Sequence, residues 1–211
     1  LGPCVPLGQV YTTLERSSFD LVVVSSVNGH LFQDAMNMIA PNLKNPSSHI
    51  PPFVVGGKIG ISEKKLHEVT KLLSVVLADE VTLYTKTRKF HWNVSGDSFM
   101  ELHKLFENQY KRLEESIDEV AERISKLGSK AIGTMQEFGK LANIKEHPSK
   151  YPTSKEMIEE LLNDHEMVIV EIRKSVNLCG EKYHDAGSAD FLTGLLEEHE
   201  TIAWTLRRYL K

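Results

Sequence analysis

Between Ile61 and Leu210 apolar residues recur every three or four positions, the period of helices with one buried face. The first such run starts after Ser62 and reaches about Asn93, with Leu66, Val69, Leu73, Val76, Leu77, Val81 and Tyr84 as its stripe. The second opens with the capping pattern Ser98-Phe-Met-Glu101 and ends before Gly128, on Leu102, Phe106, Leu113, Ile117, Val120, Ile124 and Leu127. A short helix follows the box Thr134-Met-Gln-Glu137, with Met135, Phe138 and Leu141 turned inward. The third long helix opens with Thr153-Ser-Lys-Glu156 and stops near Gly180; the fourth runs from about Ser188 to Leu210. Nothing in this region alternates with period two. The pattern therefore predicts an all-α, four-helix bundle with a long second-to-third crossover carrying the short helix.

Residues 1–60 read differently. They hold six of the eight prolines, several Gly and Ser/Asn clusters, and charges that cancel, which predicts an extended or disordered extension. The chain starts at Leu1, and Met36 and Met38 are internal, so some of the first 35 or so residues are expected to be a leader, a cloning remnant or upstream read-through. A net charge of −4 gives no bulk attraction to nucleic acid or anionic membrane. No apolar run approaches the roughly 20 residues that span a bilayer. Cys4 and Cys179 lie far apart in no metal-ribbon pattern, which fits a reducing, cytoplasmic setting.

The candidate chemistry lies on the second helix. His103 and Glu107 are four residues apart, as are Asp118 and Glu122, so each pair shares one face and can hold a common metal ion. From Glu107 to Asp118 is close to three whole turns, so both pairs point the same way. That interval is also about 16 Å along the axis, and a single ion takes ligands at about 2 Å. If this helix packs antiparallel on its own copy near Arg112–Leu113, a two-fold axis sets His103 and Glu107 opposite the partner's Asp118 and Glu122. His91, at the end of the first helix, is the natural further ligand. Imidazole with carboxylate suits iron, manganese or zinc. The bland reading is a solvated helix face. A di-iron site inside one bundle would need Glu-x-x-His on two helices; only Glu181-Lys-Tyr-His184 matches, at a helix end, so that arrangement is disfavoured.

The run Lys89-Phe-His91-Trp92-Asn93-Val94-Ser-Gly96, then Phe99, His103, Phe106 and Glu107, then Asp118-Glu119-Val120-Ala121-Glu122-Arg123, resembles the signature of the Dps family of small ferritins. The resemblance covers residues 61–211. It implies a ferritin-like bundle assembled as a hollow homo-dodecamer. It also implies a ferroxidase that converts Fe²⁺ to stored ferric mineral with hydrogen peroxide or dioxygen, protecting against oxidative stress. By the resemblance, His91, His103 and Glu107 of one subunit and Asp118 and Glu122 of its mate hold two iron ions per intersubunit site. Position 107 is often Asp in the family; Glu moves the carboxylate outward by one methylene. Trp92, beside His91, is a candidate radical or electron donor, or else a packing anchor. Glu181, Asp185 and Asp190 match the region that lines an acidic iron-entry pore. Some members bind DNA through lysine-rich tails; with one Arg and two Lys in residues 1–60, strong DNA binding is not expected, although nucleoid association remains compatible. His165 and His199 fall near apolar stripes and read as core or boundary residues.

Overall fold

The computed structural model describes residues 58–211, so the extension expected over residues 1–60 lies almost wholly outside the described residues. Five α-helices follow in order: α1 (Glu63–Asn93), α2 (Phe99–Lys126), α3 (Met135–Leu141), α4 (Ser154–Asn177) and α5 (Ala186–Tyr209). π-helical turns over Leu178–Tyr183 join α4 to α5. Among the described residues there is no strand, and no helix is long and apolar enough to cross a membrane.

α1 packs along α2 and α4 along α5, giving two hairpins, and α1 also meets α3 and α4. Side-chain links fix their directions. Tyr84 faces Tyr110 across the first hairpin. Arg112 with Glu198, Arg123 with Asp185, and Glu101 with the Tyr209 hydroxyl run in opposite order along α2 and α5. The ridge residues Leu73, Phe106, Leu113, Leu161, Ile172, Leu192 and Leu206 are among those that fill the bundle core. Burying such a side chain stabilises the fold by about 1.5–3 kcal/mol.

Several local expectations needed correction. Ser98 precedes α2 but lacks the extended backbone of a cap (φ −94°, ψ 19°) and makes no side-chain capping bond. Glu101 instead accepts from Tyr209 at 2.7 Å. The boxes at Thr134 and Thr153 do form, each with a reciprocal glutamate. Met135 is 66% exposed rather than turned inward, because α3 is too short to bury more than the face carrying Phe138. The third long helix does not stop at Gly180: wider turns carry it to Tyr183, burying Cys179 and Tyr183, and His184 at φ 59° ends them. Tyr209 lies at a rim, 38% exposed.

The crossover is pinned by one carboxylate. Asp79 of α1 accepts from the Asn143 and Ile144 backbone N–H groups at 2.6 and 3.0 Å and from the Asn143 amide at 3.0 Å. Burial still pushes its carboxyl above the usual range, against those bonds. Asp79→Ala leaves three donors unmet and is expected to lower the unfolding free energy by about 2–4 kcal/mol, measured by denaturant titration; a change below about 0.5 kcal/mol would show the crossover is held otherwise.

Candidate metal centre

The end of α1 and the start of α2 are joined by a five-residue turn in which Gly96, at φ 101°, takes a conformation that side chains resist. The reversal lays the His91 and His103 rings against each other, centroids 3.8 Å apart and planes 20° apart. Each ring bonds the other's backbone: His91 Nδ1 to the His103 carbonyl at 2.8 Å, and His103 Nδ1 to the His91 carbonyl at 2.9 Å. A carbonyl can only accept, so both Nδ1 atoms carry hydrogen. In the neutral rings both Nε2 atoms then hold a lone pair, which is the form a metal takes. The edge of Tyr110, 5.2 Å from His91, and the Phe99 ring, 5.1 Å from His103, close the flanks.

Arg88, half-buried, turns toward aromatic rings. Its guanidinium donates to the Tyr84 hydroxyl at 2.6 Å and lies over the Tyr110 and Trp92 rings at 4.8 and 5.3 Å. Trp92 itself is 64% exposed.

Glu107 stands one turn beyond His103, half-buried, and bonds Lys111 at 2.6 Å. That hydrogen bond, then the charge of Lys111, with smaller help from Lys104 and His91, holds its carboxyl below the usual range. Asp118 and Glu122 are exposed further along α2, Glu122 paired to Lys126 at 2.8 Å. Asp118 shares a shallow open face with Glu114, Glu115 and Ile117. The structure thus brings His91 and His103 together, with Glu107 one turn on, and leaves Asp118 and Glu122 apart. Among the described residues no three His, Cys, Asp or Glu side chains converge as a metal site within one chain.

The three acidic residues of the expected pore separate. Glu181 and Asp190 are exposed, but Asp185 is 2% exposed and caps α5. It accepts from the Ser188 N–H at 2.9 Å, the Ser188 hydroxyl at 2.6 Å and Arg123 at 3.2 Å. Arg123 also lies so close to Gly187 that a Cβ there would stand 2.9 Å from the guanidinium. Glu181, within the π-helical turns, and His184, just past their end, are both exposed. His165 and His199 are core residues, 0% and 1% exposed. Sequence reasoning missed Glu80 on α1, the buried partner of His199, although its place between Leu77 and Leu83 marks it as an inward-facing charge.

The residues 70–211 match the model of the ferritin-like domain. A DNA protection during starvation protein of Bacillus anthracis is 36% identical over 143 residues, 68% of this chain and 97% of that protein. An uncharacterized low temperature-induced protein of Nostoc is 44% identical over 153 residues, 72% of this chain and 86% of that protein. The crystal structure of the Vibrio cholerae Dps protein, described as a ferritin-like diiron-carboxylate protein, superposes with a TM-score of 0.70 at 30% identity. It covers 74% of this chain and 97% of that one. Helix order and crossover define a ferritin-like bundle, and these relatives place it in the iron-storing, stress-protective class. Within that class the chain belongs to the Dps family.

Asp185 and its two acidic neighbours respond differently to substitution. Asp185→Ala removes the α5 cap and the Arg123 pair, with an expected loss of about 1–3 kcal/mol in stability. Glu181→Gln and Asp190→Asn should stay within about 0.5 kcal/mol of the parent. Thermal and denaturant unfolding of the three variants checks this, and equal losses would contradict it.

Proposed function

We propose that this chain assembles as a hollow homo-oligomer, a dodecamer on the family pattern, and works as a ferroxidase and iron store. The supporting observation is the divided ligand set along α2 and the end of α1: one half pre-shaped by the His91–His103 pair, the other exposed about 16 Å away. Across a two-fold axis, His91, His103 and Glu107 would face Asp118 and Glu122 of the partner subunit, giving two identical sites that each take a pair of Fe²⁺ ions as substrate. The donor set fits iron: neutral imidazole nitrogens and carboxylate oxygens, with no thiolate.

In this reading the carboxylates offset the iron charge, and the two imidazoles hold position because their other nitrogens are anchored on backbone carbonyls. Hydrogen peroxide, or dioxygen in its place, is the oxidant. Peroxide takes one electron from each of two Fe²⁺ ions and two protons from solvent, so both oxygens leave as water and no hydroxyl radical is released. Trp92 beside the site packs against the partner subunit and can supply an electron when only one iron is bound. Glu181 and Asp190, as exposed carboxylates, raise the local Fe²⁺ concentration at the entry; Asp185 shapes that end instead of lining it.

Protection then comes from removing iron and peroxide in the cytoplasm rather than from coating DNA. The chain carries a net charge of −4, and Arg207 in its basic C-terminal stretch is paired with Glu166 at 2.8 Å.

Anaerobic Fe²⁺ loading followed by peroxide tests the reading on the parent and on a His103→Ala, Asp118→Ala double variant of the same oligomer size by light scattering. The expected result is rapid oxidation in the parent and a loss of roughly a hundredfold or more in the variant. Equal, slow oxidation in both would reduce the motif to a structural interface.

A further inference from the structure

Glu80, His199 and His165 form a hydrogen-bonded chain inside the bundle, with none of the three more than 1% exposed. His199 Nε2 lies 2.6 Å from Glu80 Oε1, and its Nδ1 lies 2.9 Å from His165 Nδ1. The residues come from α1, α5 and α4, so the chain ties one helical hairpin to the other. At its two ends, Glu80 Oε2 and His165 Nε2 have no hydrogen-bond partner.

The number of protons it holds follows from the geometry. Each of the two short contacts needs one hydrogen between its heavy atoms. Two neutral imidazoles supply both, and Glu80 is then a carboxylate with no counter-charge. A third proton has a free position at His165 Nε2. When it enters there, the hydrogen on His165 Nδ1 passes to His199 Nδ1, and His199 becomes the imidazolium facing Glu80. No net charge remains, and one N–H lacks an acceptor. An unpaired charge in a dry interior is costlier than one orphaned N–H, so the three-proton form wins.

The neighbouring Asp79 carboxylate favours the same form. Asp79, next on α1, is turned to Asn143 and Ile144 but adds negative potential at Glu80. On α4, Asp164 is bonded to Lys86; on α5, Glu198 is bonded to Arg112 and Glu200 to Arg173. The buried polar side chains of α2 are the uncharged Gln109 and Ser116. Burial, with the neighbouring His199 ring, holds His165 well below the usual histidine range.

We propose that Glu80, His199 and His165 form a buried proton-binding site, independent of the iron chemistry, that couples the union of the two hairpins to pH. Above the ordinary histidine value of about 6.5 the unfolded residues hold two protons, and the folded chain holds three. Folding therefore takes up a proton. The extra stability is present near that pH and is lost as pH rises through the site's own value, by about tenfold in the folding equilibrium per pH unit.

The test is denaturant unfolding of the parent and of Glu80→Gln between about pH 6.5 and 8 at one fixed protein concentration. That window stays below the range of the Cys179 thiol, which burial pushes up to about 11. Glu80→Gln keeps the hydrogen-bonding shape and removes the charge that calls for the third proton. The parent's folding equilibrium constant should fall relative to the variant by about tenfold per pH unit; parallel pH dependence would overturn the proposal. A pH-stat reading on the parent alone covers the case of a variant that does not assemble. Unfolding at about pH 7.5 should release close to one proton per chain, and release of none would equally overturn it.

Discussion

An α-helix rises about 1.5 Å per residue, and that fixed rise governs how this molecule can hold metal. His103 with Glu107 and Asp118 with Glu122 share one face of α2, yet no rotamer or gentle bend carries carboxylates eleven residues apart onto one ion. Under the proposed function a single chain would therefore offer two half-sites and complete neither. In the proposed assembly the remedy is symmetry: a second α2 laid antiparallel would bring unlike halves together twice. The bare features of that region follow the same logic. Phe99, Met100 and Trp92 are exposed large side chains around the histidine half, and Asp118 is exposed at the carboxylate half.

Within one subunit the histidine half is prepared by the hairpin turn itself. Carbonyls of one helix end fix the ring of the other, so the peptide backbone selects the tautomer and the orientation of both imidazoles. No side chain beyond the two histidines is needed for that selection. The rest of the bundle supports the turn through a core that is apolar along the stripes and hydrogen-bonded at a few polar points. Asp79 holds the crossover, Asp185 holds the start of α5, and Lys86 joins α1 to α4 through Asp164 at 2.6 Å.

Much of this was legible in the residues because hydrophobic period and capping chemistry are local. The stripe from Leu66 to Tyr84 and the boxes at Thr134 and Thr153 depend on neighbours three or four positions away, and they fold as read. The failures occur where a distant partner decides. Glu101 was taken by Tyr209, over a hundred positions later in the chain, so the Ser98 box did not close. Gly180 signals a helix end, but burial of Cys179 and Tyr183 keeps the chain coiled in wider turns. Asp185 looks like any surface acid until Arg123 and Ser188 reach it. The spacing of His91, His103, Glu107, Asp118 and Glu122 was readable because helix geometry is rigid; the carbonyl bonds that orient the rings were not, since sequence carries no backbone direction across a turn.

The central claim, that each iron site is shared between two subunits, is tested most directly by mixing two inactive variants. His103→Ala and Asp118→Ala oligomers would be dissociated, combined in equal amounts and reassembled, alongside each variant reassembled alone. In a mixed pair one interface site receives both defects and the other receives none. Random reassembly should therefore restore roughly a quarter of the parent's peroxide-dependent Fe²⁺ oxidation, while neither variant alone recovers. A mixture as inactive as its components, in oligomers shown by mass to contain both chains, would mean that the ligands act within one subunit and would contradict the account.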